Sequence, residues 1–228
     1  MLYGYGSQIW AGTLATCLLT VLTLLFSIII GMIGALCKLS PNPLLRWPFT
    51  AYTTLIRSVP DLVIMLLVFY NLQELINFIC AWAGWAQYQM DAFSAGVTTL
   101  SFIYGAYMTE TFRGAIQSVP KGQLEAGYAT GMSPLTVFRL ILLPQLIRFA
   151  LPGLNNNLQV IIKATALVSI IGLLDIVTVT QQAGRSTQQL FFFNLVAAGI
   201  YLCMTAVSLI VLSWLDRRYS AGVREVRL

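Results

Sequence analysis

The residues of this chain that could do chemistry are charged side chains set inside long apolar stretches. Asp61 follows Arg57 by four positions, with Pro60 between them, and both sit in a run that is otherwise almost wholly apolar. A carboxylate at the centre of a bilayer costs about 2.5–3.5 kcal/mol on insertion scales, so Asp61 needs an ion-pair partner or a water-filled cavity. Arg57 is close enough on one helix face to be that partner, yet Pro60 is expected to break or kink the helix between them. Pairing with Arg57 and contact with a ligand both stand open. Asp175 lies beyond Gly172, where it either faces a vestibule or membrane cavity or simply ends a helix. Lys163 either holds a ligand carboxylate, neutralises a carboxylate on a neighbouring helix or satisfies interhelical carbonyls. Glu110 and Arg113 have the spacing of a helix-surface ion pair and read as structural or gating residues. Tyr70, Tyr104 and Tyr107 pack, or cage a cation; Tyr104 joins Asp61 and Asp175 as a candidate ligand contact. Asn155, Asn156 and Asn157 read as a polar cap and packing group.

Counting removes most enzymatic chemistry. There is no histidine, which excludes imidazole acid/base catalysis, Ser-His and Cys-His nucleophiles and imidazole metal sites. The four cysteines (Cys17, Cys37, Cys80 and Cys203) stand singly in apolar stretches without CxxC spacing, so neither a disulfide framework nor a thiolate metal site is suggested. No Gly-Lys dipeptide occurs, so the phosphate-cradling GxxxxGK[ST] loop is absent and any ATP must be handled by a partner. No catalytic residue, metal site or cofactor of the chain's own is expected.

The elements that must carry these residues are membrane helices. Of 228 residues 58% are hydrophobic and 9% charged, and the mean hydropathy is +0.79; ordinary soluble chains are roughly 25% charged. Runs of about 20 apolar residues can cross a bilayer, and the sequence predicts five spans, at about 8–37, 48–78, 92–112, 149–174 and 190–215, in one domain covering 1–228. No Lys or Arg precedes Lys38, which is unlike a cleaved signal peptide, so the first segment is expected to remain. Positive residues are retained on the cytoplasmic side. Lys38, Arg46, Arg113, Lys121, Arg139, Arg148, Arg217, Arg218, Arg224 and Arg227 fall on one side and Arg185 alone on the other. That places the N-terminus outside, the C-terminus inside, and residues 113–148 in the cytoplasm. Trp10, Trp47, Trp82, Trp85 and Trp214 fall near span ends, as interfacial aromatics do. The net charge of +5 is scattered, which is no footprint for nucleic acid. No inverted repeat divides the chain, which argues against a single-chain carrier.

The strongest motif is SVPKGQLEAGYATGMSPLTVFRLILLP at 118–144. It reads as a helix from Lys121 to Thr130, a break at Gly131, and a second helix capped by Ser133 with Pro134 in its first turn. Ala126, Gly127 and Gly131 leave a shallow surface for another protein, beside the carboxylate of Glu125. Glu125-Ala126-Gly127, Gly131, Ile141 and Leu143-Pro144 resemble the EAA loop of ABC importer permeases, departing only at Gly127, where the family usually has Ala. The resemblance extends to the polar amino acid subfamily through YTTLIRSVPDLVIMLLVFY (52–70), YGAYMTETFRGAI (104–116) and LPGLNNNLQVIIKATALVSIIGLLDIV (151–177). Within it the opening MLYG, the KLS at 38–40 and the closing DRRYSAGV resemble permeases for histidine, lysine, arginine and ornithine. Subfamily members commonly have Arg-Gly-Thr-Pro where this chain has Arg57-Ser58-Val59-Pro60, and fewer of them have the following Asp.

That resemblance implies an all-α, type I ABC permease subunit of the bacterial inner membrane, working by alternating access on polar, basic amino acids. Glu125, Ala126, Gly127 and Gly131 would couple it to a cytoplasmic ATPase dimer that holds the ATP. Its other partners would be a second, homologous permease in a heterodimer, membrane lipid, and a periplasmic binding protein. The last would dock on loops around 80–91 and 176–189, through polar groups such as Gln181, Gln182, Arg185, Gln188 and Gln189. The alternative is an ion-coupled carrier or channel, favoured by the intramembrane Asp and Lys.

Overall fold

The computed structural model describes residues 2–219, and Arg224, Arg227 and the end of the DRRYSAGV motif lie outside them. Every regular element among the described residues is helical. In chain order these are α1 (Gly6–Leu39), α2 (Pro43–Ser58), α3 (Asp61–Trp82), α4 (Ala92–Gln117), α5 (Lys121–Ala129), α6 (Pro134–Val137), α7 (Leu143–Ala164), α8 (Ile176–Ser186) and α9 (Leu190–Tyr219).

Four continuous helical segments are long and apolar enough to cross a membrane: Gly6–Leu39, Asp61–Trp82, Pro134–Ile171 and Leu190–Tyr219. The remaining predicted span, 92–112, falls in α4, which has 26 residues and so a length of about 39 Å at 1.5 Å per residue, but it is more polar. The reason is its position. It is the most enclosed helix, burying Leu100, Ile103, Tyr104, Met108 and Phe112 together with Thr99, Ser101 and Thr109. A helix shielded from lipid by its neighbours does not need an apolar exterior.

Within the predicted span 48–78 the break expected at Pro60 separates two helices, α2 and α3, at Val59-Pro60. Pro60 has no N–H to continue the ladder and disfavours helical backbone at Val59, which is extended (φ −113°, ψ 145°). The helix that carries the predicted span 149–174 begins earlier, because the second helix of 118–144 runs into it without a break. Residues Phe138–Leu142 form a π turn in which the Leu143 N–H reaches back to Phe138. The wider turn lets the ladder pass Pro144, which has no donor of its own. At the far end the helix tightens to 3-10 over Thr165–Ile171 and stops at Gly172, whose φ of +95° is left-handed.

The core is a close α1–α4 contact, extended by α7. A Cβ on Gly31 would collide with the Met108 side chain and lie 2.8 Å from its backbone carbonyl carbon. Glycine here sets how near the two axes can come. The hydroxyls of Thr16, Thr20 and Ser27, also buried on α1, are satisfied within that helix, donating to the carbonyls of Gly12 (2.9 Å), Thr16 (2.8 Å) and Leu24 (2.9 Å). A second cluster joins the start of α1 to α8 and α9 through Ile9, Val179, Ala183 and Phe193. Asn42 and Asp91 cap α2 and α4, each side chain accepting a backbone N–H at 3.0 Å. The Ser94 amide on Asp91 holds that carboxyl below the usual carboxylate range. All five tryptophans are exposed on the chain's surface.

Replacing Gly31 with Ala forces α1 and α4 apart. Thermal unfolding of the detergent-solubilised protein is expected to register a loss of about 1–3 kcal/mol, whereas Gly199→Ala on α9, where a Cβ meets nothing within 4 Å, stays within about 1 kcal/mol of the parent.

Candidate functional site

The helix break puts Asp61 at the first position of α3, where the unpaired N–H groups of a helix N-terminus favour an anion. Its carboxylate is partly buried. Tyr104 and Tyr107, three residues apart and so on one face of α4, both reach it. The Tyr104 hydroxyl donates to Oδ2 at 2.8 Å and the Tyr107 hydroxyl to Oδ1 at 3.4 Å. Their rings lie 5.6 Å apart at 33°. Tyr104 is 1% exposed, so its contact is with Asp61, and it fixes the carboxylate from behind.

Arg57 does not pair with Asp61; no ion pair joins them among the described residues. The guanidinium carbon instead sits 5.6 Å from the Tyr107 ring centroid, and the side chain is exposed. Beside it lies an open cleft of about 450 Å³ walled by α1, α2 and α4. Along its wall runs a network larger than the predicted Glu110–Arg113 pair. Glu110 accepts from Arg113 at 2.9 Å and also from Lys38, which donates to Thr53 Oγ1 at 2.8 Å as well. Arg113 also donates to Gln117 Oε1 at 2.8 Å. Lys38 escaped sequence reasoning because it lies 72 positions from Glu110; its place in the last turn of α1, after a long run without charge, was the available signal.

The structure does not bring Asp175 to this site. It is fully buried as the N-cap of α8, accepting the Thr178 N–H at 2.9 Å, and its Oδ2 has no partner among the described residues. The turn at Gly172 directs the chain back against α1, where a Cβ on Gly12 would come within 3.0 Å of the Asp175 carbonyl oxygen and the Ile176 N–H reaches Thr16 Oγ1 at 3.3 Å. A carboxylate enclosed by that contact faces neither vestibule nor cavity. Lys163 is exposed on α7 and forms no ion pair among the described residues. Asn157 ties α7 to α4, its amide donating to Thr111 Oγ1 at 3.0 Å.

In segment 118–144, α5 and α6 form a hairpin about Gly131, at φ +80°, and Ser133 Oγ accepts the Thr136 N–H at 3.3 Å. Glu125 and Ala126 are exposed on the same helix. Gly127 is buried, which corrects its assignment to the open surface. It faces inward, where a Cβ would meet Ile141 Cδ1 at 2.6 Å and Val137 Cγ2 at 3.2 Å. The hairpin is thus closed by Ile141 packing over Gly127. Elsewhere Gln73 pins the connection to α4, donating to the Tyr88 carbonyl at 2.6 Å and accepting the Met90 N–H at 2.9 Å.

Residues 24–221 match the model of the binding-protein-dependent transport system inner membrane component family. The chain is 52% identical over 228 residues to the histidine/lysine/arginine/ornithine transport system permease protein HisQ of Escherichia coli, covering 100% of both chains. It is 36% identical over 221 residues to the arginine ABC transporter permease protein ArtQ of Haemophilus influenzae, covering 97% of each. Among solved structures, an amino acid ABC transporter crystallised with histidines superposes with a TM-score of 0.77 at 31% identity, over 94% of this chain and 95% of that one. These relatives are transport subunits and not enzymes, and an ion-coupled carrier or channel is not favoured. The chain belongs to the binding-protein-dependent transport system inner membrane components, as a multi-pass permease subunit.

Proposed function

We propose that this permease carries basic amino acids (histidine, arginine, lysine and ornithine) across the bacterial inner membrane, and that Asp61 holds the cationic side chain in transit. The observation that carries this reading is the state of the Asp61 carboxylate: it is held by two tyrosine hydroxyls and a helix N-terminus, with no protein cation on it. Hydroxyl donors orient an anion while leaving its charge available. The substrates named for the HisQ and ArtQ relatives support the same class. Tyr104 is the positioning residue, and Asp175 serves as the cap that sets α8.

In this reading α4 is also a span, the third of five, shielded by its neighbours, with the N-terminus outside and the C-terminus inside. A second, homologous permease completes a heterodimer whose outer surface meets lipid. Lys163, exposed on α7, serves a structural role there. The hairpin of α5 and α6 is an EAA-type coupling element that docks on an ATPase dimer through Glu125 and Ala126, with Gly131 shaping its turn. Gly127 supports it from beneath, and Lys38, Glu110 and Arg113 tie α1 to α4 beside the pathway. A periplasmic binding protein delivers substrate at 80–91 and 176–189. ATP binding in the partner closes the cytoplasmic side and opens the outer one.

Hydrogen bonds to a charged group are worth about 1.5–3 kcal/mol, so Asp61→Asn is expected to weaken lysine uptake by reconstituted vesicles about ten- to a hundredfold and to change the substrate ranking. Unchanged uptake and ranking would sink the assignment. Tagged chain is expected to co-purify a 25–30 kDa ATPase, about the mass of many nucleotide-binding subunits, and Glu125→Lys to lose it; retention of the ATPase by the variant would remove Glu125 from the docking surface. Gly127→Ala should leave coupled transport intact because the flexible end of Ile141 can swing aside and Val137 need give by only a few tenths of an ångström, whereas Gly131→Ala, forced into left-handed backbone, costs about 1–2 kcal/mol and should depress ATPase stimulation.

A further inference from the structure

Arg57 and Asp61 occupy opposite ends of one helix break. Arg57 closes α2, whose C-terminus favours a cation, and Asp61 opens α3, whose N-terminus favours an anion. They are four residues apart, yet they do not neutralise each other. Tyr107 stands between them, its hydroxyl on Asp61 and its ring beneath the Arg57 guanidinium. Of the two cations lining the adjoining cleft, Lys38 is committed to Glu110 and Thr53. Arg57 has no carboxylate within ion-pair distance among the described residues. One face of its guanidinium is taken by the Tyr107 ring, but its edge, which carries the five N–H donors, is left for a planar anion. The hydroxyls of Thr54 and Ser58 line the same cleft.

An uncompensated cation beside an uncompensated anion, separated by one tyrosine, is the electrostatic complement of a dipolar ligand. We propose that Arg57 binds the α-carboxylate of the transported amino acid while Asp61 holds its side-chain cation. The assignment rests on the reading of Asp61 above and adds to it a second subsite. Bidentate carboxylate recognition by a guanidinium is directional, so the pair fixes the orientation of the substrate in the pathway and rejects amines that lack the carboxylate.

The test is equilibrium binding of radiolabelled arginine to the purified permease–ATPase complex without the periplasmic binding protein, competed by agmatine, which lacks the carboxylate, and by citrulline, which lacks the side-chain cation. In the parent complex each competitor is expected to bind at least about tenfold more weakly than arginine. Arg57→Gln should lower arginine affinity about tenfold, to the level of agmatine, and leave agmatine within about twofold of its parent value. Asp61→Asn should bring arginine down to citrulline instead. An unchanged arginine-to-agmatine ratio in Arg57→Gln overturns the carboxylate subsite, and if the citrulline comparison still responds to Asp61→Asn, the Asp61 reading survives that failure. If neither ratio responds to its variant, both fall. A parent complex that binds arginine no better than agmatine also overturns the subsite, as does an Arg57→Gln effect that disappears when anionic lipid is replaced by phosphatidylcholine, since the anion would then be a headgroup. Should Arg57→Gln fail to assemble, Arg57→Lys keeps the charge and loses the fork; its arginine affinity is expected between those of the parent and agmatine, and parent-like discrimination would overturn the role of the guanidinium.

Discussion

A polypeptide in hydrocarbon has no water to complete its backbone hydrogen bonds, and this constraint governs where the chain can be anything other than helix. Most of it obeys by staying helical over very long runs, including 34 residues of α1 and 30 of α9. The exception in the middle of the sequence is the break at Val59-Pro60. Its unpaired N–H groups are the ones beside which the Asp61 carboxylate sits, so the interruption of the helical ladder also gives an anion its setting. Tyr104 and Tyr107 follow from the same requirement, since a partly buried carboxylate needs donors and α4 supplies two on one face.

Those donors can be supplied only because α4 is enclosed. Its polarity would be costly against lipid but is cheap against α1, whose glycines let the two backbones approach until Met108 and Thr109 touch them. The hydroxyls on α1 do not reach across the interface for partners; Thr16 and Thr20 return their protons to their own helix. Close packing of small residues on α1 and a polar, protected α4 are two sides of one arrangement, and the Lys38–Glu110–Arg113 network fastens α1 to α4 beside the cleft.

Local signals are legible in this sequence, and contacts between distant segments are not. The hairpin of α5 and α6, with its Gly131 turn and Ser133 cap, was legible because each signal is a residue type at a fixed offset from its neighbours. Pro60 announced a break, although the extent of the two helices flanking it was hidden by their shared apolar character. The burial of Gly127 was not legible, because it depends on Ile141 folding back over it. Nor was the enclosure of Asp175, which needs the turn at Gly172 to bring α8 against Gly12 and Thr16.

The helical segment Pro134–Ile171 has a mechanical consequence. With 38 residues it is about 57 Å long at 1.5 Å per residue, and it joins the exposed hairpin to the interior without a connecting loop. A loop would absorb motion, whereas a continuous helix has the stiffness of a lever arm. Its compliant points are built in near one end, at the π turn of Phe138–Leu142, and part-way along, at Pro152. A push at Ser133 therefore reaches Asn157 and its contact with α4 as a tilt, and the stiffness of the few residues about the π turn determines how much of that push is transmitted as motion and how much is lost as bending.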